Sequence, residues 1–207
     1  MLMKLSQAIS TFSLLIAGMA NGEDYFPPPT WPVPNIKSSG TQVQPVTGVT
    51  LGAFHVTFEK TTFKDILGAL GTAPIGQQGD AGEFLMWVCY TVSAANTRIW
   101  LTSSELGGQK YIDGMIAKKV QLSETGNHSC PALSNQVAVV SIDNGISIGE
   151  SVEKIKAILG TPNKAPASVV YYLYEGKNGQ FDITSVLALK VYKKRVIELH
   201  ANHSTTN

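Results

Sequence analysis

Two stretches of the chain carry apolar residues at helical spacing and then change to runs at strand spacing. In "TTFKDILGAL" (61–70), Phe63, Ile66, Leu67 and Leu70 recur three and four positions apart, which predicts an amphipathic helix. Thr61 or Thr62 supplies the N-cap oxygen, and Gly71 is placed to end the helix. "VEKIKAIL" (152–159) repeats the arrangement. Ser151 caps it, Val152, Ile155, Ile158 and Leu159 line one face, and Gly160 stops it. Sliding Leu70 onto Leu159 puts Phe63 on Val152, Ile66 on Ile155, Gly71 on Gly160 and Thr72 on Thr161.

Beyond each helix comes a polar loop and then β-branched and aromatic runs, "EFLMWVCYTV" (83–92) and "SVVYYLYEG" (168–176). Aligning Trp87–Tyr90 with Tyr171–Tyr174 leaves the first loop longer, and the glycines and Asp80 of "GQQGDAGE" account for the excess. "TRIWLTSS" and "KYIDGMIAKKV" read as a hairpin joined through "ELGGQ", and "SVLALKVY" and "RVIELHA" as one joined through "KK". "VAVVSI" introduces the second half as a strand. The expected fold class is α+β: two tandem repeats, each a helix packed on a small antiparallel β-meander. The expected segments are a signal peptide (1–20), a proline-rich extended segment (21–48), repeat 1 (49–122), a crossover linker (123–136) and repeat 2 (137–207).

Strand side chains alternate between faces. Leu85, Trp87 and Cys89 therefore share a face with Val169, Tyr171 and Leu173 of the aligned copy, and Met86, Val88 and Tyr90 with Val170, Tyr172 and Tyr174. The more aliphatic set, with Leu85 and Leu173, is expected to face the core. Tyr90, Tyr172 and Tyr174, with Arg98 and Trp100 from the next strand, then face outward. Tyrosine, tryptophan and arginine are the types enriched at protein interfaces, so these five are the candidate protein-binding residues. A register slip of one residue reverses every face and makes them ordinary core aromatics.

The first residues change the compartment. Lys4, the apolar run Leu14–Ala17, and small residues up to Ala20 follow the layout of a cleaved secretory signal. No cysteine lies near the expected cut, so no lipid anchor is expected, and no later stretch reads as a membrane span. After the cut, "NGEDYFPPPTWPVPNIKSSGTQVQP" is dense in proline and reads as an extended tail, or as a recognition peptide through Tyr25, Phe26 and Trp31. The chain has 207 residues, with 16 Lys and Arg against 15 Asp and Glu, so no net field selects nucleic acid. Cys89 and Cys130 are the only cysteines, and in an oxidising compartment they are expected to pair. Localisation is expected to be periplasmic or secreted.

Little catalytic chemistry is legible. His55, His128, His200 and His203 share no metal-binding spacing, and His200 and His203 read as an exposed C-terminal tail. No metal site or cofactor is expected, and the chain reads as a non-enzyme. The surviving catalytic alternative is a thiol dyad of Cys89 with His128. Asn127-His128-Ser129 and Asn202-His203-Ser204 are glycosylation sequons, relevant in a eukaryotic source.

"GISIGESVEKIKAILGTPNKAPASVVYYLYEG" resembles the SmpA/OmlA module of the outer-membrane barrel-assembly lipoproteins, with Gly145, Leu159, Gly160, Pro162 and Tyr172 or Tyr174 in the expected places. The first copy is looser, with Ala73 where the second has Pro162. Two such modules in tandem, over roughly Val49 to His203, resemble the β-lactamase inhibitory proteins. That resemblance implies a binding protein whose sheets present a concave face to an enzyme. The departures are a single possible disulfide, where that family has one in each unit, and no N-terminal cysteine of the lipoprotein kind. The expected partner is another protein in the periplasm or outside the cell, held as by an inhibitor or immunity protein. The alternative is an envelope assembly or maintenance factor.

Overall fold

The computed structural model describes residues 26–30, 44, 46–80, 84–121, 129–133, 137, 139–163, 165 and 168–207. The expected signal peptide, most of the proline-rich segment and His128 lie outside the described residues. Among those described, the order is β1 (Gly48–Leu51), β2 (Phe54–Thr57), α1 (Phe63–Leu70), β3 (Ile75–Gln78), β4 (Leu85–Val92), β5 (Thr97–Ser104), β6 (Gly114–Lys119), β7 (Val140–Ile142), α2 (Val152–Leu159), β8 (Val169–Asn178), β9 (Phe181–Tyr192) and β10 (Arg195–Thr206).

Both helices start and stop where their sequence signals stand. The Thr62 side chain accepts from Asp65 N while the Asp65 carboxylate accepts from Thr62 N, a reciprocal capping box. Ser151 Oγ accepts from Lys154 N. Gly71 and Gly160 follow the last turns at φ +97° and +80°, where a Cβ would be strained.

The fold class differs from the expected one. Among the described residues the protein is mostly β, in two sheets ordered β2-β1-β7 and β3-β4-β5-β6-β10-β9-β8, and it is not a pair of helix-on-meander α+β units. The physical reason lies at two strand edges. Separate meanders would each leave an edge strand, β6 and β10, with a row of unpaired backbone groups. These edges pair with each other, Ile116 opposite His200 and Lys118 opposite Glu198, and fuse the meanders into one seven-stranded sheet. Two eight-residue helices are too short to cover it. The rest of the covering layer is the small sheet, in which β1 pairs with both β2 and β7.

The core fills the space between these layers. Val49, Leu51 and Val56 from the small sheet, Phe63 and Ile66 from α1, and Ile155 and Leu159 from α2 pack on Val88, Tyr90, Leu101, Tyr172, Leu187 and Leu199 of the large sheet. The face assignment is therefore inverted: the tyrosine set is inside. His200 and His203 are also not a tail, because β10 runs through them and is paired on both sides. Asn202, of the second sequon, lies in the same doubly paired strand, and its Nδ2 donates to Asp113 O at 3.1 Å.

Candidate functional site

The two helix stops meet the sheet in the same way. Tyr90 Oη donates to Gly71 O at 2.7 Å, and Tyr172 Oη donates to Gly160 O at 3.1 Å. Burial pushes both phenols up to about 12. Tyr90 and Tyr172 are 1% and 0% exposed, so they offer no surface to a partner. The equivalent of Tyr90 is thus Tyr172, two positions earlier than the sequence alignment placed it. Tyr174 lies half-buried over Gly176, where its ring occupies the space of a Cβ.

Arg98 and Trp100 sit on the other face, because Trp100 pairs directly with Cys89 and Arg98 with Thr91. The structure therefore does not bring the five candidates together. On this outer face Cys89 is bonded to Cys130, so the thiol-dyad reading has no thiol. The segment carrying Cys130 lies along β4, with Thr91 N donating to Pro131 O at 2.9 Å and Leu133 N to Thr91 O at 2.8 Å. Trp87 covers its cross-strand partner Gly76, which has no room for a side chain. Trp87, Cys89, Trp100 and Cys130 form a second buried cluster, with Phe26, Leu85 and Ile116 packed against it.

Phe26 brings the proline-rich segment onto this face. Trp100 Nε1 donates to Phe26 O at 3.0 Å, and the Arg98 guanidinium stands 3.9 Å from the centre of the Phe26 ring. Beside this contact a groove of about 490 Å³ opens across the outer face. Pro28, Pro29 and Leu85 wall one side, Tyr171, Val186 and Ala188 the other, and Ile116, His200 and Asn202 lie between. The row next to it is charged, running Arg98, Lys118, Glu198 and Lys190 across adjacent strands. His200 shares a hydrogen bond of 2.9 Å with the nearly buried Glu198. Burial alone would raise the Glu198 carboxyl, but that hydrogen bond and the charges of His200, Lys118 and Lys190 hold it below its usual value.

Sequence reasoning named Arg98 and Trp100, set Tyr171 on the face taken to be the core, and missed Val186 and Ala188. Their signal was alternation itself, on the face taken to be the core. Among the described residues no helix is long and apolar enough to cross a membrane, and no group of three or more histidine, cysteine, aspartate or glutamate side chains is placed to hold a metal ion. That statement about helices and the disulfide are compatible with a protein outside the cytoplasm. No family model, curated protein or solved structure matches the chain.

Proposed function

We propose that the chain is an exported, non-catalytic binding protein that holds a segment of another protein in the outer groove. The observation that carries this reading is the groove itself. It combines apolar walls with a few polar groups, and Leu85, Ile116, Val186, His200 and Asn202 along it are only half-buried. The resemblance to the β-lactamase inhibitory proteins, which present a sheet face to an enzyme, points the same way. The partner of this reading is an enzyme in the periplasm or outside the cell, silenced as an inhibitor or immunity protein silences its target.

The test is capture from an extract of that compartment by the wild-type chain and by Val186→Glu. Val186 is half-buried in the groove wall, so a carboxylate there puts an unpaired charge into the contact. The expected result is one stoichiometric enzyme retained by the wild type and lost by the variant, with unchanged circular dichroism. Retention by both chains would remove the groove as the binding site. Capture of barrel-assembly components instead would favour the envelope-assembly reading.

A further inference from the structure

One occupant of the outer face is already present. Phe26 is seated by three contacts of different kinds: the guanidinium of Arg98 over its ring, the indole N–H of Trp100 on its carbonyl, and the tilted Trp100 ring 6.3 Å away. Pro28, Pro29 and Thr30 continue from this anchor as one wall of the groove. None of residues 26–30 belongs to a strand. The prolines remove the N–H groups a ladder would need, so the segment lies on the face without pairing to the sheet. Docking of this kind, by an aromatic anchor and a polyproline stretch on an aromatic-lined surface, is how proline-rich peptides are recognised.

We infer that the Arg98–Trp100 end of the groove is a receptor site for an extended segment with an aromatic followed by prolines, and that Phe26–Thr30 occupies it as a displaceable strap. The inference rests on the outer-face reading above and names the chemistry of the partner segment. Glu23 and Asp24 precede Tyr25-Phe26 in the sequence, and Arg98 and Lys118 pair across β5 and β6 beside the anchor. The matching partner segment is therefore an aromatic followed by prolines, with acidic residues near it to meet the Arg98–Lys118 pair. A strap tethered in cis competes at a high effective concentration, so a free segment binds weakly until the strap is loosened.

The probe is the capped peptide of the chain's own residues 23–30, "EDYFPPPT", added to the full chain and to Phe26→Ala. Binding is followed by tryptophan fluorescence and by the Trp100 indole N–H resonance. Phe26→Ala should bind the peptide at least about tenfold more tightly than the wild type, and the same peptide with alanine for its phenylalanine should lose that gain. Pro28→Gly with Pro29→Gly keeps Phe26 but loosens the strap, so it should move affinity the same way by less. This second variant also decides the matter if Phe26→Ala does not fold. Equal affinity for wild-type and loosened chains would show that the strap does not occupy the site. No binding to a folded, loosened chain would remove the receptor altogether. If the peptide fails while Val186→Glu still loses its partner, the receptor and its strap fall together and the reading of the groove stands. If the peptide binds while Val186→Glu keeps its partner, the reading of the groove falls and the receptor stands.

Discussion

Tyr90 on the carbonyl of Gly71 and Tyr172 on the carbonyl of Gly160 place the same latch in the two halves of the molecule. Each half has a capped eight-residue helix, a glycine stop and a later strand whose tyrosine reaches back to that stop, with β3 intervening only in the first half. The halves part company on the outer face. From β4 to β6 that face is closed by the chain's own Cys130 and Phe26, around Trp87 and Trp100. From β8 to β9 the cluster is Tyr171, Leu173 and Ala188, with Ala165 and Val169 packed beside it and no disulfide. The helix-to-tyrosine latch is thus shared, while the outer faces are closed by different means.

The largest effect should come from removing what only the first half has. The Cys89–Cys130 bond closes a loop with a sequence separation of 41. Cross-linking a loop of that length removes chain entropy from the unfolded state worth about 4 kcal/mol. Cys89→Ala with Cys130→Ala should lose most of that in urea unfolding, while helix content stays as it was. A loss under about 1 kcal/mol would mean that the two halves hold their outer faces equally well without it.

Next in size is the latch they share. Tyr90→Phe and Tyr172→Phe each remove one hydrogen bond and no packing, which should cost about 1 kcal/mol. The shorter bond of Tyr90 should cost no less than that of Tyr172. The phenols also predict an alkaline signature. Both are pushed up to about 12 by burial, against about 10 in the unfolded chain, so folding favours the neutral form. That contribution is fully present below pH 10 and is lost as pH rises from 10 to 12. Each Phe variant should shed part of the alkaline loss, as measured by denaturant midpoints across that range. One variant shedding it and the other not would break the equivalence of the halves.

The latch also shows what the sequence could reveal and what it hid. Helix limits were legible because Thr62, Ser151, Gly71 and Gly160 act within one turn of their own positions. The main strands were legible from their β-branched and aromatic runs. Which face of the sheet points inward was not, because the sheet is partly buried on both sides. Trp87 and Trp100 are covered by Cys130 and Phe26 from distant parts of the chain, so apolarity does not mark the core face. The register of the repeat was hidden by a coincidence of period. Tyr172 and Tyr174 lie two apart, on one face and in one strand, and only the hydrogen bond to Gly160 chooses between them. β1, β2 and β3 have four residues each, too few for a periodic signal. Pairing of β6 with β10 depends on strands about eighty residues apart, beyond the reach of local pattern.

The smallest expected effect lies where the halves solve one problem differently. In the first half β5 and β6 are joined by a long connection in which Gly108 takes φ +63° and Gln109 +60°. In the second half β9 and β10 are joined by two residues, Lys193 and Lys194, at φ +48° and +61°. Positive φ at both central positions is the type I′ geometry, whose twist matches that of the strands and whose usual residues are Asn and Gly. Lysine carries a Cβ that this region penalises, so the turn is formed against local preference. The turn's backbone has a second duty, since Lys194 O accepts from Val152 N at the start of α2 at 3.1 Å. That bond does not need the side chain. The Lys194 ammonium stands 3.8 Å from Glu153, but both are exposed and the pair adds little. Lys193→Asn with Lys194→Gly should therefore keep the turn and the docking bond while relieving strain, partly offset by the freer unfolded glycine. The net should be a gain of about 0.5 kcal/mol, or about 1–2 °C in the melting temperature. A fall in melting temperature would mean that the lysine side chains hold the hairpin against α2, and that the second half is stabilised at its turn as the first is at its disulfide.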